Sequence, residues 1–285
     1  MTLDFSYQQY KLILDTIASS DYQVIKIEDL IQNKHLPEKF IVLRHDVDLD
    51  SFYQVKFAEL ENKYNIHTSY YFRFIDKTFK EEVINKVSQL GHEVGYHYEV
   101  LTKAKGDPVE AMKIFKEEQN VFKEKWNSLT VCPHGGSFID TTDGYSLRNI
   151  LKLIPKLITG KKVFSKYINF NMWEENHFED FQIIGDAYSS VDFSDFLYLS
   201  DTGRSWDQRY KRLDRVDSDI NPLFNIRTSD DIINIIKTGE VNKIYLLVHF
   251  EQWKDNFADW VTWYVSQIIR RIGKKIIFGM NPPTS

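Results

Sequence analysis

Histidines and acidic residues gather at a few points of this chain, each just beyond a hydrophobic run. The first is Arg44-His45-Asp46-Val47-Asp48, at the end of the apolar stretch that starts at Phe40. Asp46 and Asp48 are two apart, so on an extended backbone both carboxylates project to one side and repel unless a cation or a proton lies between them. A divalent metal resolves this. A pair of solvated or helix-capping acids, with Asp50 or Ser51 as the cap, is the competing reading. The second point is Gly91-His92-Glu93-Val94-Gly95-Tyr96-His97-Tyr98-Glu99. His92 and His97 are five apart, a separation that shares neither a helix face nor a strand face, so an HExxH metal site does not fit. His97 and Glu99 do share a strand face and offer a nitrogen and an oxygen to a borderline metal. His92 reads as a hydrogen-bonded structural residue.

The third point is Pro133-His134-Gly135-Gly136, where glycines let backbone amides approach a ligand as an oxyanion donor must; a tight turn explains them equally well. The fourth is His249, which ends the apolar run Leu246-Leu247-Val248; a lone histidine is more often a satisfied structural residue, yet this one stands where catalysts sit in parallel α/β folds. The fifth is Asp201-Thr202-Gly203-Arg204-Ser205-Trp206, whose Arg204 and Trp206, together with Trp253, can flank a sugar ring or simply pack a loop. Other chemistries lack their residues. The chain has no GxSxG elbow, no GxxxxGK[ST] loop and no GxGxxG, and its single cysteine, Cys132, reads as a buried apolar thiol.

The elements that must position these residues follow a βα rhythm. Short apolar runs at Phe40 to Arg44, His67 to Phe74, His92 to Tyr98, Leu129 to Pro133, Phe181 to Ala187, Phe196 to Ser200 and Lys243 to His249 predict strands. Helical periodicity predicts helices over Ser51 to Lys63, Phe79 to Leu90, Pro108 to Trp126 with Asp107 as N-cap, Ser229 to Lys237 and Phe257 to Ile272. In the last of these, Trp260, Val261, Tyr264, Val265, Ile268 and Ile269 recur at helical spacing and read as core. Residues 137–180 lack clean alternation apart from a helical patch around Ser146 to Ile158 and predict an irregular insertion; Ser205 to Pro222 predicts a long surface loop. The expected whole is one domain over 1–285, an α/β fold whose strands' C-terminal ends carry the polar clusters.

Composition agrees with a globular, soluble protein and narrows its partners. Apolar residues are 42% and charged residues 27% of the 285, enough for a sizeable core under an ordinary surface. A net charge of -5, with both signs interspersed, offers no sustained positive field for nucleic acid, so no nucleic-acid partner is expected. No run is long and apolar enough to span a bilayer, and no basic-then-apolar leader opens the sequence, which predicts a cytoplasmic protein.

Taken in order, RHDVD, GHEVGYHYE, CPHGGS, SDTGRSW and LLVHFEQW resemble the motifs of the polysaccharide deacetylase family, the NodB-homology carbohydrate esterases, over roughly Phe40 to Trp253. The resemblance implies a distorted (β/α) barrel of about seven parallel strands and metal-assisted removal of acetyl groups from a carbohydrate. By position, Asp46 is the implied general base, Asp48 and His97 metal ligands, Gly135 the oxyanion amide and His249 the general acid. Two departures stand out: the family's second histidine falls on Leu101, and the arginine of its third motif has no counterpart near CPHGGS. Glu99 is the expected substitute ligand because it shares a face with His97, and His134 is the next. Asp201, Arg204, Trp206 and Trp253 are assigned to substrate binding. Zinc is the expected ion, while a mixed N/O shell also accepts iron, cobalt, nickel or manganese. A non-catalytic sugar-binding module on the same barrel, or a hydrolase of another C–N bond, is the alternative.

Overall fold

The computed structural model of the chain describes residues 3–33, 35–49, 52–135, 169–173, 176–207 and 216–278. Eight strands are present among them: β1 Gln23–Ile25, β2 Phe40–Val47, β3 Ser69–Phe72, β4 Glu93–Tyr98, β5 Thr130–Pro133, β6 Gly185–Asp186, β7 Leu197–Ser200 and β8 Lys243–Val248. Seven of them form one curled sheet in the order β6-β5-β4-β3-β2-β8-β7, and β1 pairs with β2. Every pairing is parallel. β1 takes the first half of one edge of β2 (Gln23 beside Phe40) and β3 takes the second half (Arg44 beside Ser69). This is the distorted (β/α) barrel that the family resemblance implied, on the α/β rhythm that the runs and helices predicted.

The helices are α1 Tyr7–Ala18, α2 Ile27–Gln32, α3 Phe52–Lys63, α4 Glu81–Gln89, α5 Val100–Lys103, α6 Pro108–Trp126, α7 Ser229–Thr238 and α8 Phe257–Phe278. Their ends carry the expected signals. Asp107 caps α6 by accepting from Val109 and Glu110 amides, with Pro108 in the first turn. Thr228 and Asp231 form a capping box on α7, which Gly239 ends at φ 63°. The helical patch expected at Ser146 to Ile158, the proposed caps Asp50 and Ser51, and most of the insertion expected over 137–180 lie outside the described residues. Residues 169–173 and 178–181 of that region form 3₁₀ turns.

All eight residues of β2 are buried, charged ones included, because the curled sheet has an inner and an outer packed face. Strand parity assigns them. Ile41, Leu43 and Val47 face outward into the cluster shared with the helices, alongside Phe57, Tyr70 and Val83; Phe40 and Val42 face the barrel interior with Tyr71, Cys132, Phe193, Tyr198 and Tyr245. Inward Tyr71 needs Gly95 beside it, since a Cβ at Gly95 would come within 2.3 Å of the Tyr71 ring. Among the described residues no ladder joins β6 to β7. The Tyr188 and Tyr198 hydroxyls, 2.9 Å apart, and the Tyr245 hydroxyl donating to the Ala187 carbonyl bridge that side.

One expectation of packing is corrected here. α8 rests on the body through Trp260, whose indole donates to the Asp4 carbonyl, and Trp263, whose indole donates to Gln252. Val261, Tyr264, Val265 and Ile268, read from the sequence as core, are exposed. The side chain of Ile269 is outside the described set.

Candidate metal centre

The parity that builds the barrel also builds the site. On β2, Arg44 and Asp46 point inward and Asp48 continues their line past the strand end, while His45 points outward to Glu61 (Nε2 to Oε1, 2.8 Å) and stacks on Phe250. On β4, His97 points inward and Glu99 follows it; on β5, Cys132 points inward and His134 follows. His97 is in register with Cys132, and His45 with Val248, so His134 stands one step beyond His97 and His249 stands level with Asp46. Residues from the C-terminal ends of four strands therefore converge at one barrel mouth.

At the centre lie Asp48, His97 and His134. His97 Nε2 is 3.4 Å from Asp48 Oδ1, His134 Nδ1 is 3.2 Å from the same oxygen, and the two ring nitrogens are 3.2 Å apart. A tetrahedral ion with bonds of about 2.0–2.1 Å requires ligand atoms roughly 3.3–3.4 Å apart, so this triangle has the size of three vertices of such a shell. The remaining details fit as well. His97 Nδ1 lies 3.1 Å from the Cys132 carbonyl, which accepts its proton and leaves Nε2 with a free lone pair. Burial pushes His134 below the usual histidine range against the pull of Asp48, favouring the neutral ring that binds metal. Burial alone would raise Asp48, yet His134 and His97 hold it well below the carboxylate range, and its Oδ1 is buried without a hydrogen-bond partner.

Asp46 stands beside this triangle, 3.7 Å from His97 Nε2, but both of its oxygens are taken by Arg44 at 2.8 and 2.6 Å. Arg44 is itself sandwiched, 4.4 Å from the Tyr188 ring and bonded to the Tyr245 hydroxyl. Burial opposes ionisation of Asp46; Arg44 and His97 overcome it and set the pKa to about 2. A second possible group, Asp46 with His97 and Cys132, is weaker because burial pushes the Cys132 thiol up and Asp46 is already paired.

His249 is fixed by Asp201. Its ring Nδ1 lies 2.7 Å from Asp201 Oδ1, its amide donates to both Asp201 oxygens, and the Trp253 indole donates to Oδ2 at 2.8 Å. Burial disfavours the imidazolium, but Asp201 in contact and Asp48 and Glu251 nearby lift it well above the ordinary histidine range. Glu251, two residues on, has the opposite history: burial and the Asp48 charge raise its carboxyl to about 8.

Several sequence assignments change. Glu99 is not among the clustered ligands: both its oxygens bind Arg73 (3.1 and 2.7 Å), whose third nitrogen donates to the Asp48 carbonyl at 2.8 Å. It holds the backbone of the Asp48 turn rather than an ion. His134, the second choice, is the residue that clusters with Asp48 and His97. Trp206 and Trp253 are fully buried, the first bonded to Ser229 and stacked on Phe5, the second on Asp201, so neither offers a face to a sugar. Arg204 is buried over Trp260 and donates to its carbonyl. Asp201 orients His249 and is inaccessible to substrate. Gly135 directly follows His134, and among the described residues nothing lies within 4 Å of a Cβ added there, so their packing does not explain the glycine. His92 is structural, as read: it accepts from the Thr68 amide and donates to the Ala58 carbonyl.

Arg44 and Arg73 are the residues that the motif reading missed. Each carried a signal: Arg44 shares a strand face with Asp46, and Arg73 shares one with Tyr71 in the run SYYFR. Comparison with protein-family models, with curated proteins and with solved structures found no match for the chain.

Proposed function

We propose that the protein is a metal-dependent hydrolase that removes acetyl groups from a carbohydrate. The observation that carries the hydrolase part is the Asp48–His97–His134 triangle, with ionised Asp46 on one side and protonated His249 on the other. The carbohydrate part is supported by the order of the motifs. Two imidazoles and one carboxylate suit zinc best among divalent ions. When bound, such an ion polarises an acyl carbonyl and makes a water acidic enough to attack it.

The chain's own groups supply the proton traffic. Asp46, a carboxylate at any pH above about 2 and fixed by the Arg44 fork, is placed to accept the proton of the attacking water. His249, kept protonated and oriented by Asp201, is placed to give a proton to the departing amine or alkoxide. Environments that push two pKa values apart in this way assign one group as base and the other as acid. The Gly135 amide is the nearest main-chain donor beyond His134 for a developing oxyanion. The non-catalytic alternative drew its support from the absent histidine and arginine; His134, clustered with Asp48 and His97, offers a third candidate ligand, which weakens it.

The test is paired. Metal content of chelator-stripped and zinc-reloaded protein is measured beside acetate release from N-acetylglucosamine oligomers and from O-acetylated sugars. One ion per chain and metal-dependent acetate release are expected, with His249→Ala lowering turnover by about 10²- to 10⁴-fold at unchanged metal content. No stoichiometric metal overturns the reading, and so does full activity of the His249 variant.

A further inference from the structure

α8 carries a surface that the catalytic reading leaves unused. Phe257, Val261, Tyr264, Val265 and Ile268 are between 36% and 67% exposed. At 100° per residue these five cover about 100° of the helix circumference over roughly 16 Å, the width of an amphipathic stripe. Trp263 anchors the opposite side on Gln252, and Trp260, at the edge of the stripe beside Tyr264, anchors that flank on Asp4 and Arg204. The stripe is therefore turned away from the barrel.

Charge says what this face fits. From Trp260 onward the sequence holds Arg270, Arg271, Lys274 and Lys275 and no acidic residue; with -5 for the whole chain and +4 here, the preceding 259 residues carry -9. The acidic residues at the start of the helix are engaged locally, Asp255 with Lys56 and Asp259 with Asn256. A cationic, aromatic-rich helix with an outward apolar stripe, on an otherwise anionic protein, has the composition of an interfacial helix. A parallel isologous pair of such helices would oppose like charges, which disfavours that arrangement of a second copy as the occupant. No helix among the described residues is long and apolar enough to cross a membrane, so insertion across the bilayer is not what this element provides.

We propose that the outward face of α8 docks the protein on an anionic lipid surface, the apolar stripe entering the interface and the cationic second half of the helix attracting the headgroups. This is independent of the hydrolase reading. The full chain is sedimented with vesicles of phosphatidylcholine alone and of phosphatidylcholine mixed with phosphatidylglycerol. Binding to the mixed vesicles only, weakened by salt, is expected. Arg271→Gln with Lys275→Gln should reduce it about 30-fold, since each cation near the surface is worth about fivefold. Val265→Asp with Ile268→Asp, at exposed positions, should abolish it while circular dichroism and metal content stay unchanged. Equal binding to both vesicle types, no binding to either, or binding unaffected by the aspartates overturns the proposal. A concentration-dependent dimer in solution that the aspartates abolish makes a second copy the occupant, and overturns it too.

Discussion

Replacing Arg44 by methionine keeps a long apolar stem against Tyr188 but removes the guanidinium, leaving Asp46 buried with only the His97 ring, 3.7 Å away, beside it. The side chains of the pair are 0% and 5% exposed, and two hydrogen bonds of 2.8 and 2.6 Å connect them. Breaking a buried pair of this kind typically costs about 3–5 kcal/mol, because the remaining charge is uncompensated. The Tyr245 hydroxyl keeps its bond to Ala187, so little of the loss arises elsewhere. Domains are stable by about 5–15 kcal/mol, so the variant should fold but unfold at much lower denaturant. Urea unfolding of metal-free Arg44→Met against wild type measures the loss. The double variant Arg44→Met/Asp46→Asn, which removes the orphaned charge, should recover at least half of it. A loss under about 1 kcal/mol, or a double variant no more stable than the single one, refutes the claim that Arg44 is what holds Asp46 ionised.

Further predictions concern the ligands and the mouth. His134→Ala should weaken zinc binding by at least about 100-fold in competition with a fluorescent chelator, whereas Glu99→Gln, which keeps the shape but loosens the hold on Arg73, should weaken it by about tenfold or less. The reverse order would return Glu99 to the shell. The Glu251 carboxyl, at about 8 in the folded protein and 4.5 when unfolded, binds a proton more tightly in the native state. Its contribution to stability is therefore complete below pH 4.5 and is lost as pH rises towards 8. Glu251→Gln in metal-free protein should flatten that decline by a few kcal/mol, read from urea midpoints across pH 5 to 9; an unchanged slope shows that Glu251 is ionised in the native state.

The fold was legible because its signals are local. Apolar runs of strand length, caps such as Asp107 and the Thr228–Asp231 box, and Gly239 after α7 each fix an element without reference to the rest. The sequence also marked residues that gather at the barrel mouth, since ionisable side chains at the ends of buried strands stand out. What it could not show is which side chain of one strand meets which of another. Glu99 lies two residues from His97 and shares its face, but whether it turns to an ion or to Arg73 depends on how β3 and β4 are staggered. His134 reaches His97 only because β5 lies in register with β4, a lateral fact with no local signature. Trp206 and Trp253 misled for a similar reason. An aromatic beside a polar cluster looks the same in sequence whether it faces the mouth or, as here, packs under it against Phe5.

The division of partners at the mouth gives the strongest physical argument for a cation. Asp46 has Arg44, Glu99 has Arg73, and Asp201 has His249 with the Trp253 indole, so each of these buried acids is matched by its own donors. Two carboxyls at the mouth, Glu251 and Asp48, have no guanidinium among the described residues. Glu251 resolves its isolation by keeping its proton up to about pH 8, so it carries no charge to be balanced near neutrality. Asp48 does not: burial would raise its pKa, only the charge on His134 and His97 drives it down, and burial pushes His134 towards the neutral form in which that charge is lost. An ionised carboxylate against two imidazole lone pairs is a poor arrangement in a protein interior unless positive charge is supplied between them. The arginines that neutralise Asp46 and Glu99 thus do more than stabilise the barrel. By removing those two acids from competition they leave Asp48, His97 and His134 as the set on which a divalent ion would bind, with Asp46 close by and free of it.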